Sequence, residues 1–196
     1  MLSSSMGVVL RTRRTPIGTR KIARGLAPAT EKAIDLDRMA SLAAFTARSL
    51  RTASPRPFGA SVVHTKSGKL LLRALNMVKQ EIDPSSHAEV RAIRLATKKL
   101  KQISLTGYTL YTTCEPCPMC MSTVLWAGID RVVYGATIAD ANRHCNQILI
   151  PAAEVAARSD MKCVVHGPVL RERCYELFTD RRMLKAFRLW STRKRR

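Results

Sequence analysis

No apolar run in the 196 residues approaches the roughly 20 that a bilayer-spanning helix requires, so a helical integral membrane protein is excluded. Internal repeats and low-complexity blocks are also missing outside the ends, which removes solenoid and fibrous architectures. The spaced cysteines of a secreted disulfide framework are absent too. Three of the six cysteines crowd into Cys114–Cys120 instead, and in a reducing compartment such clustering points to metal or catalysis. Acid is scarce, with 14 Asp/Glu against 34 Lys/Arg and a net charge of +20. The deficit is local. Residues 1–30 hold six Lys/Arg and residues 181–196 hold eight, with no acid in either, whereas 31–180 carry 20 basic and 14 acidic residues. Basic ends can meet nucleic-acid phosphates, but a solvated tail is the commoner reason for them. Charge alone assigns no partner. What remains, 46% hydrophobic and 24% charged, reads as one soluble globular domain with biased ends.

Residues 1–30 lack helical or strand period and read as a disordered basic leader. Arg13-Arg14 has no apolar region behind it, which speaks against twin-arginine export. The composition suits an organellar transit peptide or an upstream-extended start in which Met39 or a neighbour opens the functional domain. A cytoplasmic location is the default, with organellar targeting open. From Glu31, the positions Ile34, Met39, Leu42, Phe45 and Leu50 predict a helix that Pro55 and Pro57 end. Phe58–His64 and Leu70–Leu75, joined by Lys66-Ser67-Gly68-Lys69, read as a hairpin. Asp83-Pro84-Ser85-Ser86 is a loop whose Ser is placed to cap a helix from about His87 to Leu100. A strand (Tyr108–Thr113), a helix (Cys117–Ala127) stopped by Gly128, and a strand (Arg131–Gly135) follow. Residues 136–148 read as a loop. Beyond it lie a short helix (Pro151–Arg158), a strand (Lys162–His166) and terminal helices. The alternation predicts an α/β layered sheet, with a domain over 31–180 and a basic helix or tail over 181–196.

Two motifs carry chemistry: His87-Ala88-Glu89 and Pro116-Cys117-Pro118-Met119-Cys120. Each alone is weak. Both, however, sit where the chain enters a helix N-terminus. Cys117 and Cys120 share one helical face and offer two corners of a tetrahedron, and His87 offers a third. Three protein ligands leave the fourth position for water, as in catalytic rather than structural zinc. Two helix N-termini aimed at the metal favour thiolates. Glu89 need not ligate and is placed to move protons. Cys114 could complete a four-ligand structural site in a nucleic-acid-binding zinc protein, the rival reading. Cys145, Cys163 and Cys174 lack partner spacing and read as small buried hydrophobes, and His64, His144 and His166 as non-ligands.

The arrangement His-x-Glu…Pro-Cys-x-x-Cys is a zinc deaminase signature. With PFGA (57–60), Asn76, DPSSHAEVRAIR (83–94), LYTTCEPCPMC (110–120), LWAG (125–128) and RVVYGA (131–136), the chain resembles the cytidine-deaminase-like superfamily. Within it, the likeness is to the purine branch that includes guanine deaminase and tRNA adenosine deaminase. The resemblance runs from about Pro57 to Phe178. It implies a three-layer αβα fold with a mixed, roughly five-stranded sheet between helices. It also implies a Zn2+ ion held by His87, Cys117 and Cys120, Glu89 as proton shuttle, Cys114 as a pocket-wall residue, and a homodimer. Substrate contacts are expected from Asn76, the backbone N–H of Ala88, and the walls Phe58 and Trp126.

Members that act on guanine carry an acidic pair in the loop after the fourth strand. Here the stretch is Asn142-Arg143-His144-Cys145-Asn146-Gln147-Ile148, without acid. Asn146 or Gln147 would then supply amides to a purine or related ring, or Asp140 would take over. In 181–190, Met183, Leu184, Phe187 and Trp190 share one helical face, and Arg181, Arg182, Lys185 and Arg188 the other. Such a helix suits RNA, or packing on the domain with a solvated basic face. The expected function is therefore a zinc-dependent hydrolytic deaminase of a small-molecule purine base or nucleoside, guanine-like first, with no membrane partner. The alternative is a tRNA wobble adenosine-to-inosine deaminase, and more distantly a non-catalytic nucleic-acid-binding zinc protein.

Overall fold

The computed structural model describes residues 28–193, so the expected leader falls almost wholly outside the described residues, as does the side chain of Trp190. In chain order the elements are α1 (Pro28–Ser49), β1 (Gly59–His64), β2 (Leu70–Leu75), α2 (Val78–Glu81), α3 (Ala88–Leu100), β3 (Tyr108–Cys114) and α4 (Pro118–Trp126). Then come β4 (Arg131–Ala136), α5 (Ile138–Asn142), α6 (Ala152–Ala157), β5 (Val164–His166), α7 (Arg171–Thr179) and α8 (Arg181–Arg193). The strands form one mixed five-stranded sheet in the order β2-β1-β3-β4-β5. β1 pairs antiparallel with β2 and β3, while β3–β4 and β4–β5 are parallel.

β1 and β3 are buried along almost their whole length because helices cover both faces of the sheet, as three layers require. One face packs on α1, α7 and α8 through Met39, Leu42, Phe178, Met183 and Phe187. The other packs on α3, α4 and α6 through Ala92, Ile93, Ala96, Met121, Val124 and Ala152. The three-layer αβα expectation holds.

Helix α1 carries Asp35, Met39, Leu42, Ala43 and Thr46 on its buried side, the spacing of one helical stripe. Asp35 would be costly to bury unpaired. It accepts two bonds from Arg131 (2.7 and 2.6 Å) and one from the Tyr111 hydroxyl (2.8 Å), and Glu31 adds an ion pair to Arg131 at 3.0 Å. One buried carboxylate thus fastens α1 to β3 and β4. At the other end, a Cβ on Gly135 would strike Cys174 Sγ and the Thr113 carbonyl, so glycine is what lets α7 lie against β4.

Local expectations were corrected at three places. The cap of α3 is His87 itself, with no side-chain cap bond, because the Ser86 hydroxyl donates to Glu81 and Asp83. Residues 136–148 are not all loop: α5 begins at a capping box in which Thr137 and Asp140 satisfy each other's backbone N–H. The Lys162–His166 strand shortens to Val164–His166 at the sheet edge. Helix α8 buries Met183 and Phe187 while Arg181, Arg182, Lys185 and Arg188 stay exposed, the packed form of the basic helix.

Candidate active site

Helices α3 and α4 lie side by side under the sheet, and their N-termini meet beyond the carboxyl end of β3. Their caps, His87 and Cys117, share one extended backbone conformation (φ −66 for both, ψ 155 and 167), and neither makes a side-chain cap bond. A cap side chain points back across the helix start, where it would ordinarily bond the N–H two or three residues on. Here both are directed to one another. Cys120 is the third helical residue of α4, the position that faces a cap residue in a capping box, and Pro118 at the first position fixes the entry. The Cys-x-x-Cys spacing is thereby a cap-and-third-residue pair.

His87 Nδ1 lies 3.7 Å from Cys117 Sγ and 3.5 Å from Cys120 Sγ, and the sulfurs are 3.6 Å apart. Tetrahedral zinc, with Zn–S near 2.3 Å and Zn–N near 2.0–2.1 Å, sets donor separations of about 3.5–3.8 Å. The three residues fit the metal, and among the described residues they are the one His/Cys/Asp/Glu group found close enough to hold one. Hydrogen bonding to Cys120 and His87 brings the Cys117 thiol down to about 4. Cys120 is pushed up by its bond to Cys117 and by burial.

Glu89 is 6% exposed. Its carboxylate accepts from the Thr112 hydroxyl at 3.2 Å, a proton that hydroxyl shares with the Cys114 carbonyl at 2.9 Å, and among the described residues no salt bridge to it forms. Burial pushes its pKa up, opposed by the charge of His87. The carboxyl is therefore one that can both take and return a proton.

These groups open onto a cavity of about 350 Å³ lined by Phe58, Asn76, His87, Glu89, Cys114, Glu115, Cys117, Asn146, Gln147 and Ile148. Five sequence expectations meet there: Phe58, Asn76, Asn146 and Gln147 as contacts and Cys114 as wall. Asn76 also accepts the Val78 N–H at 3.1 Å, which fixes its amide. The Ala88 methyl is in the core, so this residue can offer only its backbone N–H, free of an intrahelical acceptor at the first helical position.

Two expectations fail. Trp126 is 76% exposed and lines a different groove with Leu125, Ile150, Val155 and Met161. It stands at the far end of α4, nine residues or about 13 Å of helix from Cys117. Asp140 cannot read a ring edge, because it is bound to the start of α5 and accepts two bonds from Arg171 at 2.7 and 2.8 Å. His144, expected as a non-ligand, packs its ring among Phe178, Phe187 and Tyr175.

Glu115 and Thr112 were missed. Glu115 lines the cavity while accepting the backbone N–H groups of Ile138 (3.1 Å) and Ala152 (3.0 Å), tying the Cys-x-x-Cys loop to the starts of α5 and α6. No periodicity announces such a contact, since its partners lie 23 and 37 residues away.

A mixed sheet between helices thus carries a His-Cys-Cys cluster at two helix starts, with a buried glutamate beside it. The model of the cytidine and deoxycytidylate deaminase zinc-binding region matches residues 31–136, and the chain belongs to that family. The guanine deaminase of Bacillus subtilis (strain 168) is 46% identical over 85 residues, 43% of this chain and 53% of that protein. The chain thus spans about half the length of that relative. The tRNA-specific adenosine deaminase of the same organism is 36% identical over 118 residues, covering 60% of this chain and 70% of that one. A solved structure from work on A-to-I editing by tRNA:A34 deaminases at the wobble position superposes with a TM-score of 0.60. It is 27% identical and covers 72% of this chain and 99% of that chain.

Proposed function

We propose that the protein is a zinc-dependent hydrolase that deaminates a purine base or nucleoside, guanine-like rings first, with release of ammonia. The observation that carries the reading is the cavity: one apolar wall (Phe58), three amides (Asn76, Asn146, Gln147) and Glu89 face one space beside the His87–Cys117–Cys120 cluster. Its size suits one base or nucleoside, within the ~300–1,000 Å³ of small-molecule sites. Amides combine donor and acceptor groups, as the mixed edge of a purine requires; Gln147 uses its Nε2 on Cys145 and faces the cavity with its carbonyl oxygen left to accept. His87, Cys117 and Cys120 would hold the zinc, which when bound would supply Lewis-acid activation of a water. Glu89 takes the proton of the attacking water at its carboxylate, passes it to a ring nitrogen, and assists departure of ammonia. Thr112 holds that carboxylate in place, and Asn76 and the Ala88 N–H orient the ring.

The proposal includes a homodimer. Trp126, Ile148, Leu149 and Ile150 are exposed apolar side chains, and Ile150 and Trp126 share the groove on α4 and α6, a surface of the kind that associates. It also includes a cytoplasmic location, which six cysteines without a disulfide suit.

A second reading, adenosine deamination in tRNA, is favoured by the exposed Arg181, Arg182, Lys185 and Arg188 on α8. A panel of guanine, adenine, nucleosides and tRNA, followed by ammonia release and inosine formation, separates the two. Ammonia from a free purine, little affected by salt, supports the first reading. Inosine in tRNA with no ammonia from any free compound, falling steeply with salt, replaces it by the second. About one zinc per chain is expected, lost in a Cys117→Ala/Cys120→Ala variant.

A further inference from the structure

We propose that His144, which does not line the cavity, is a positioning residue for substrate recognition, and that through it α8 sets how tightly the cavity holds its base. This rests on the reading of the cavity as the base-binding pocket.

The His144 ring stands nearly parallel to Phe178 (6.2 Å between centroids, 12°) on α7 and to Phe187 (5.9 Å, 19°) on α8. Its Nε2 is 3.2 Å from the Tyr175 hydroxyl. The backbone here is short and braced. His144 and Cys145 both donate to the Ala141 carbonyl (2.9 and 3.0 Å), the Gln147 N–H donates to Asn142 Oδ1 (3.2 Å), and Gln147 Nε2 donates to the Cys145 carbonyl (3.3 Å). Asn146, Gln147 and Ile148, two to four residues beyond the clamped ring, line the cavity. A segment so braced moves as a unit when its anchor moves.

The clamp also reaches the opposite wall. Phe178 is fully buried and meets Phe58, itself a cavity residue, at 5.2 Å. One core ring therefore backs both the apolar wall and, through His144, the amide-bearing segment. Phe187 comes from α8, none of whose described side chains lines the cavity. Displacement of a positioned group by about 1 Å costs up to ~100-fold, so loosening the stack weakens binding without touching Glu89 or the metal ligands.

The test uses the zinc-loaded full chain with His144→Ala, His144→Phe, Tyr175→Phe and Phe187→Ala, with guanine as the kinetic probe and amide hydrogen exchange as a substrate-free readout. His144→Ala is expected to speed exchange at residues 145–148 while α3 and α4 keep their protection. It should raise the KM for guanine about 10-fold with kcat within about 3-fold and zinc unchanged. Phe187→Ala should follow it. His144→Phe, which restores a plate between Phe178 and Phe187, should recover most of the KM, and Tyr175→Phe should shift both readouts slightly in the same direction. Unchanged exchange at 145–148 in His144→Ala, or a loss in kcat alone, overturns the proposal. Should that variant not fold, Tyr175→Phe decides, and wild-type exchange in it is the overturning result. If the wild-type chain leaves guanine untouched, the substrate reading fails while the exchange measurement still judges the clamp.

Discussion

Two acids at the same end of the sheet, Glu89 and Asp140, are both buried, and their surroundings treat them oppositely. Asp140 receives two bonds from Arg171 and the backbone N–H of Thr137, and it is held down to about 2, chiefly by Arg171. Glu89 receives one hydroxyl, from Thr112, and burial pushes it up. A carboxylate surrounded by donors is fixed as an anion and serves the fold. One without a cation bonded to it has its proton affinity raised by burial, which suits general acid–base work. Both carboxylates are nearly inaccessible to solvent, and the Arg171 fork on Asp140 has no counterpart at Glu89.

Four substitutions test that contrast. Glu89→Gln should lower kcat by ~10²–10⁴ while zinc content stays at the wild-type level by elemental analysis; a wild-type rate would leave Glu89 a helix-start residue only. Asp140→Asn should leave kcat within a few-fold but cost on the order of 1–2 kcal/mol of stability, a figure reduced for the half-exposed Arg171. Asp140 sits below the unfolded value of ~3.9, so its contribution is complete above about pH 4 and drains away towards about pH 2. Denaturant titrations of wild type and Asp140→Asn should therefore converge over that window, and a constant gap would contradict the assignment. Thr112→Val removes the hydroxyl donor to Glu89, worth about 1 kcal/mol, and should slow turnover roughly fivefold. Cys114→Ser should do least, since Cys114 is outside the metal cluster. Loss of zinc in it would revive the four-ligand structural reading.

How much of this was legible in the sequence follows from the range of the forces involved. His87, Glu89, Cys117 and Cys120 could be read because their placement is local: each lies within the first turn of a helix whose start Pro118 or the preceding loop announces. The sheet could be read because β1 and β2 are short, mainly apolar runs on either side of a turn at Lys66–Lys69, with Gly68 at φ +63. Trp126 was misread for the opposite reason. Its place depends on what covers the end of α4, which no local pattern encodes. Asp140 was misread although Thr137-Ile138-Ala139-Asp140 spells a capping box; that signal, followed, gives α5 and removes the aspartate from the ring-reading candidates. Glu115 has no local signal at all.

The Asp35 junction bears on where the functional unit begins. A polypeptide initiated at Met39 would lack Glu31 and Asp35, and so would leave the Arg131 guanidinium and the Tyr111 hydroxyl inside the protein with no acceptor. Desolvating a cation without its counter-ion costs several kcal/mol, a large share of the 5–15 kcal/mol that holds a domain together. Met39 is therefore a poor alternative initiation codon, and an N-terminal deletion series should yield folded enzyme while it spares Glu31 and insoluble product once it removes Asp35.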